Sequence, residues 1–497
     1  MRISSQVLSK LDLQSAAKRV VDRPYLDFPV PQAIRCLSDS TVALANAAAA
    51  SYQLGRSIAH EIITMPKRGF GARPIVIMEP GAQVLYHAIV DLLSPDLPTP
   101  SRSSSWSTHE SAFVTESDDG EEYVVDFDVV ACYEYLDHGV MREELVLRTM
   151  SHELPQVLFD LFAEISPRGR GIPQAMEPSH LIADAYLEII ERELARRGFE
   201  VRRFADDFRC RAKSWIQAND IVDEATEIAR NYGLALSGEK TRIRKISTVR
   251  KALADESNVL KESANEVDGM LGVIEYVQVG YDEFEATKIP APTHEVEVAT
   301  WGRVLAKFVE EETGGRIYGR FVSSALRELG KQDEYIPGSL LQKIVERDAK
   351  KIKGVCQYLN DYDGPADRTT DLARLIEIEK QSAWSKIWLC DAITAEVLRQ
   401  GVSPGKASHQ KIVDWARGML TDKHELVRNE AAWLLANLEA TKGEELSEVF
   451  ARATDITRPG VAASFGRVVS GGASSTSVAN AIKGSSPLAR AAFDWGG

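Results

Sequence analysis

Three aspartates offer the first chemistry in this chain: Asp128, near the end of the apolar run YVVDFDVV (Tyr123–Val130), and the adjacent pair Asp206-Asp207 between two short strand-like segments. Carboxylates are the hard oxygen ligands that Mg2+ prefers. Two or three of them on neighbouring strands, completed by substrate phosphates, are the minimum protein share of a two-metal site. In such a site two divalent ions about 4 Å apart activate an attacking oxygen and hold a triphosphate. Asp also favours turns, so a pair at a hairpin tip has an ordinary structural explanation as well.

The elements that must position these carboxylates follow from local pattern. Tyr123–Val130 is β-branched and apolar enough for a buried strand. Strands over about 200–205 and 208–212 form a hairpin joined at Asp206-Asp207. Before them, GIPQ (Gly171–Gln174) is a turn that leads into a long amphipathic helix, and a further helix begins over Met141–Met150. After them come a helix over about 218–232, a turn at Gly233 and a strand near 241–246. Strand, helix, helix, strand, strand, helix, strand suits an α+β sheet with helices on one face. Upstream, PKRGFGARPIVIM reads as a strand pair around a glycine turn, followed by the periodic helix AQVLYHAIVDLL, and SRSSSWST reads as a loop.

After KIPAPTHE (Lys288–Glu295) the pattern becomes helical only, which places a domain boundary near 280–295. TDKHELVRNEAAWLLANL (Thr421–Leu438) looks like a HEAT-type helix, although no clean repeat period accompanies it. The expected organisation is a helical extension over 1–60, an α+β region over 61–285, a helical-repeat-like all-α region over 286–469 and a flexible tail over 470–497.

A length of 497 residues suggests two to four folding units, and 44% hydrophobic with 27% charged residues is ordinary globular composition. No run of eighteen apolar residues suggests a membrane span, and the first twenty residues lack a signal-peptide core. The five cysteines lie far apart, in keeping with a reducing cytoplasm. Net charge is −14, so any nucleic-acid site must be local. Basic clusters stand at Lys67, Arg68 and Arg73, at Arg192–Arg203 and at Lys240–Lys251; each taken alone reads first as a solvated face.

Five segments, in order, resemble reverse transcriptases. RFADDF (Arg203–Phe208) resembles the family's Tyr/Phe-Ala-Asp-Asp signature, and DVVACYEYLDH (Asp128–His138) its preceding aspartate motif. GIPQAMEPSHLIADAYL (Gly171–Leu187) is similar to the Gly-hydrophobe-Pro-Gln-Gly motif, GLALSGEKTRI (Gly233–Ile243) to the Gly-Leu…Lys-Thr motif, and MPKRGFGARPIVIMEPGAQVLYHAI (Met65–Ile89) to the fingers segment. The resemblance implies a right-hand polymerase palm and fingers, followed here by an all-α HEAT-like domain in place of the usual thumb. It implies Asp128 and Asp206 as ligands of both metals, Asp207 as the third acid, and Lys240 as the acid that protonates departing pyrophosphate. Tyr133 would lie under the incoming sugar, Arg73 and Lys67 would meet the triphosphate, Gln174 and the Gly171–Pro173 turn would touch nucleotide and template, and Phe204 would join the substrate-binding residues. Met270-Leu271-Gly272 would form a reduced primer grip, and His138 a structural histidine. One departure is Ala175, where the family usually has Gly.

A palm followed by a long helical region is similar to the abortive-infection and defence-associated ("unknown group") reverse transcriptases of bacteria. That likeness implies a cytoplasmic, non-membrane enzyme of phage defence that uses Mg2+, with Mn2+ as a substitute, and dNTPs to make single-stranded DNA. It further implies a non-coding RNA template or none, priming from a protein hydroxyl, and a homo-oligomer, trimer or hexamer; Tyr318, Tyr335, Tyr358, Tyr362 and the Ser-rich tail all lie in the half of the chain that could supply such a hydroxyl. Two alternatives stand beside it: template-independent nucleotide addition on the same palm, and a non-catalytic palm kept as a scaffold for a partner-binding helical domain.

Overall fold

The computed structural model describes residues 2–67, 71–103, 105–114, 122–166, 168–254, 276–278, 284–286, 294–310, 318–401, 407–471 and 476–497. A mixed α/β region with small antiparallel sheets extends to Ala286, and a long run of helices follows from His294 to Gly496. The α+β region with an all-α C-terminal region is therefore the architecture found. No helix among the described residues is long and apolar enough to cross a membrane. All five cysteines are buried and free.

The chain forms two compact units, one of Met1–Ala88 with Trp301–Gly497, the other of Ile89–Thr300. In the first unit, β1 (His60–Pro66) and β2 (Ala72–Met78) form an antiparallel hairpin. Its turn closes through the Lys67 amide on the Gly71 carbonyl at 3.1 Å, with Gly71 at a φ of 96°. Polar contacts distant in sequence tie the N-terminal segments to the later helices. The Asp27 carboxylate accepts from Lys353 Nζ at 2.8 Å, and its carbonyl accepts from the indoles of Trp384 and Trp388 at 2.7 and 3.2 Å. On β1, the Glu61 carboxylate accepts the backbone amides of Glu425 and Leu426 at 3.0 and 2.7 Å. It thereby caps the helix Glu425–Asn437, where four amides would otherwise lack partners.

The segment Thr421–Leu438 contains this helix, which buries Leu426, Val427, Ala431, Leu434 and Leu435. Residues 470–497, whose small polar composition suggested a tail, carry the helices Thr476–Ser485 and Pro487–Gly496. Ser486 caps the latter through the Ala489 amide, Pro487 occupies its first turn, and Ala489, Ala492 and Phe493 are buried. The lack of side chains at Gly466 and Gly496 lets this helix lie directly against the helix Arg458–Ser470.

In the second unit, β3 (Tyr123–Asp128), β4 (Glu200–Phe204), β5 (Asp207–Ala212) and β6 (Arg242–Lys245) form one antiparallel sheet in the order β4-β5-β3-β6. The helices Glu177–Arg196 and Trp215–Asn231 pack on it. Phe127 and Phe208, opposite each other in register, stack with ring centroids 5.0 Å apart. Asp207 already belongs to β5, so the hairpin loop is Ala205-Asp206, one residue earlier than the sequence pattern indicated. The pair β7 (Tyr276–Gln278) and β8 (Phe284–Ala286) forms a further short hairpin.

Candidate active site

Asp128 ends β3 directly opposite Asp207, the first residue of β5, so the two side chains share one face of the sheet. Asp206 completes the loop. One oxygen from each of the three carboxylates lies within 4.8 Å of the others. Asp128 is buried and its partners are half-buried. Burial, followed by the charges of Asp206 and Asp128, pushes the Asp207 carboxyl well above the usual carboxylate range, an effect that Lys240 partly offsets. A hard, all-oxygen donor set with surplus negative charge suits a divalent ion such as Mg2+ or Mn2+.

Lys240 reaches the cluster because its loop is tied to the end of β3. The Val130 amide donates to the Ala235 carbonyl at 2.9 Å, and the Ser237 amide donates to the Asp128 carbonyl at 2.8 Å. Lys240 Nζ then donates to Asp128 Oδ1 at 2.9 Å. Burial alone would lower the Lys240 pKa, but the carboxylates of Asp128 and Asp207 outweigh it and raise the value.

One row behind the cluster on the same sheet face stand Asp126 and, opposite it, Arg209. Arg209 Nε and Arg244 Nη2 donate to the two Asp126 oxygens at 2.6 and 2.7 Å. Arg209 also donates to the carbonyls of His109 and Glu110. This aspartate is neutralised by two arginines. Sequence reasoning passed over Asp126; the signal was its spacing of two residues from Asp128 along a strand. The His109 imidazole, buried and beside Arg209, falls to a pKa of about 4.

Tyr133 lies on the short helix Cys132–Tyr135, entered through Ala131 at a φ of 45°. The GIPQ turn is joined to this helix: the Ile172 amide donates to the Tyr133 carbonyl and the Gly171 amide to the Leu136 carbonyl, both at 2.8 Å. Gly171, at a φ of 87°, is required there, since a Cβ would stand 3.0 Å from the Glu134 carbonyl oxygen. Tyr133 and Gln174 are both buried, and Tyr133 meets His180 edge-on at 6.3 Å. Ala175, the departure from glycine, is fully buried at a φ of 59°. His138 lies 2.7 Å from the Gly171 carbonyl through Nε2 and packs on Phe159 and Phe162.

The structure thus gathers Asp128, Asp206, Asp207 and Lys240 at one point. Phe204 is buried against Trp106 and His109, with centroids at 5.5 and 6.1 Å. Lys67 and Arg73 belong to the β1–β2 hairpin of the first unit. Met270-Leu271-Gly272 lies outside the described residues. In the basic cluster 192–203, Arg192 pairs with Glu144, Arg196 with Glu193 and Arg197 with Glu224, which is the solvated-face alternative. Of the four tyrosines, Tyr318, Tyr358 and Tyr362 are buried, and Tyr335 is 48% exposed with its hydroxyl 3.2 Å from Asp371.

Residues 65–271, somewhat less than half of the chain, match the family model described as "Reverse transcriptase (RNA-dependent DNA polymerase)". No curated protein matches the chain. Among solved structures, the chain is similar to telomerase from Candida albicans in complex with a fragment of telomeric RNA, at 11% identity over 75% of this chain and 67% of that one, with a TM-score of 0.30. Apo telomerase from Candida tropicalis shows 13% identity over 72% and 67%, with a TM-score of 0.30. These scores are too low to establish a common fold. What the family match and the acidic cluster establish together is a reverse-transcriptase-like domain whose three gathered carboxylates have the make-up of a divalent-metal site.

Proposed function

We propose that this chain is a reverse-transcriptase-type DNA polymerase that adds dNTPs by two-metal chemistry. The observation that carries the reading is the meeting of Asp128, Asp206 and Asp207 within 4.8 Å on one face of an antiparallel sheet, inside the segment that matches the family model. Bound there, a pair of divalent ions would lower the pKa of the attacking hydroxyl and neutralise the triphosphate. Asp128 and Asp206 hold both ions in this reading, and Asp207 is the third acid beside the primer end. Lys240, kept protonated by Asp128 and Asp207, has a proton at Nζ for the departing pyrophosphate.

Tyr133 excludes the 2′ hydroxyl, Gln174 with the Gly171–Pro173 turn orients base and template, and Phe204 backs the substrate face. Arg73 and Lys67 pair with the triphosphate, a task that suits a guanidinium fork. Antiphage defence in a bacterial cytoplasm, an RNA template, protein priming, a HEAT-like partner surface and a homo-oligomer belong to the same proposal, and rest on the sequence resemblance alone.

The test is incorporation of labelled dNTPs by the purified full chain with Mg2+, with and without nucleic acid that purifies with it. Product that disappears in the D206A/D207A double variant supports the reading. Incorporation that survives both substitutions sinks it. Sequencing the product separates templated synthesis, which gives a defined complement, from untemplated addition, which gives random or homopolymeric tracts.

A further inference from the structure

The loop that carries Asp206 is strained. Ala205 has a φ of 55° at the first of the two loop residues between β4 and β5. A positive φ at this position of a two-residue hairpin loop normally calls for glycine, because a Cβ disfavours the left-handed region. A residue in this state persists only where its surroundings over-determine it.

Both backbone groups of Ala205 are held by side chains. Its amide donates to Ser101 Oγ at 3.0 Å, and its carbonyl accepts from Arg203 Nη1, also at 3.0 Å. These two side chains converge on Asp184, which is 1% exposed on the helix Glu177–Arg196. Ser101 Oγ donates to Asp184 Oδ1 at 2.6 Å, the Ser101 amide donates to Oδ2 at 3.1 Å, and Arg203 Nη1 lies 2.5 Å from Oδ1. Arg203 also donates from Nε to Glu191 at 3.2 Å, and its side chain is 3% exposed. A buried ion pair needs its remaining donors and acceptors satisfied, and here Ser101 and the Ala205 backbone satisfy them.

We infer that Ser101, Asp184 and Arg203 are positioning residues: a buried clamp that holds Ala205 in the left-handed conformation and so fixes Asp206 and Asp207 against Asp128 for metal binding. The inference rests on the reading of the acidic cluster as a metal site. The clamp touches no reacting atom. It converts a hairpin that would otherwise relax away from its strained geometry into a rigid support.

The test is Mn2+ affinity of the full chain, followed by the electron paramagnetic resonance signal of free Mn2+, in a cycle that joins Ser101 and Ala205. Ser101→Ala leaves the Asp184–Arg203 pair intact and removes the hydroxyl from the Ala205 amide. It should weaken Mn2+ binding about tenfold, the factor by which alanine disfavours the left-handed region. Ser101→Thr keeps the hydroxyl and should bind as the wild type does. With glycine at 205 the turn needs no clamp, so S101A/A205G should bind within about threefold of A205G. Asp184→Asn, which preserves volume, is the second variant and should show the same rescue by A205G. Wild-type-like Mn2+ binding in S101A, or an equal loss in the alanine and glycine backgrounds, overturns the clamp. A wild-type chain that binds no Mn2+ overturns the metal reading itself, and the inference with it.

Discussion

Replacing Asp207 by Asn should stabilise the metal-free protein while weakening its metal response. The three carboxylates present oxygens within 4.8 Å of one another. At an effective dielectric of about 20, two unit charges at that spacing repel by about 3 kcal/mol. Asp207 faces two such neighbours, and Lys240, which offsets part of their charge, lies 2.9 Å from Asp128. The two repulsions together oppose ionisation of Asp207, and Lys240 offsets part of them. The sign agrees with its titration: folding holds the Asp207 carboxyl above its ordinary range, so the ionised form costs stability at neutral pH, and the cost vanishes as pH falls below the unfolded value. Hydrogen exchange of the β3 and β5 amides reads the stability of this sheet directly. In EDTA at neutral pH, D207N should exchange more slowly than wild type. Adding Mg2+ should slow exchange in wild type, by about 2.7 kcal/mol at a hundredfold excess over its dissociation constant, and slow it less in D207N at the same Mg2+ concentration. Equal or faster exchange of metal-free D207N would refute the argument that these charges are packed together against their own repulsion.

Ala175→Gly should raise the urea midpoint, since left-handed alanine costs about 1–2 kcal/mol and glycine returns about 0.5–1 as backbone entropy, a net gain of about 0.5–1 kcal/mol. Gly171→Ala should do the reverse, by more than 1 kcal/mol, because its Cβ would press on the Glu134 carbonyl; urea denaturation checks both. In the first unit, burial pushes the Glu430 carboxyl from 4.5 up to about 7, against the Gln32 amide and Arg35. The folded state therefore holds an extra proton between those values, and its contribution is present below pH 4.5 and lost as pH rises through 7. Relative to E430Q, wild type should lose about 3 kcal/mol across that window in denaturation curves taken at pH 4.5 and pH 8. Tyr133→Val should lower the ratio of kcat/KM for dNTPs over ribonucleotides by about tenfold or more, whereas an unchanged ratio would leave the ring as packing only.

The carboxylates were readable through the ordered motifs around them, whereas local pattern alone left Asp206-Asp207 as an ordinary turn pair. Asp128 closes an apolar run and Asp206-Asp207 sits between two short strands, but the register that brings Asp128 opposite Asp207 pairs distant segments and was not legible. Lys240 was readable only through its motif; its ion pair with Asp128 depends on a loop fastened by the Ser237 amide, which leaves no sequence periodicity. The union of residues 1–88 with 301–497 was not legible, since it joins segments some 300 residues apart, through contacts such as Asp27 with Lys353 and Glu61 with the start of the helix Glu425–Asn437. Likewise Ser101 stood in a serine-rich stretch that composition presents as a loop, and nothing local pairs it with Asp184. The final helices were missed for another reason. Ser486 and Pro487 are a cap and a first-turn signal, masked by the small residues around them.

The most direct measurement is anomalous scattering from crystals of the full chain grown with Mn2+ and a non-hydrolysable deoxynucleoside triphosphate. Two peaks about 4 Å apart, both coordinated by Asp128 and Asp206 with triphosphate oxygens completing one of them, are the predicted result. Density for the nucleotide with no metal between these aspartates, or carboxylates that turn away from one another, would contradict the account.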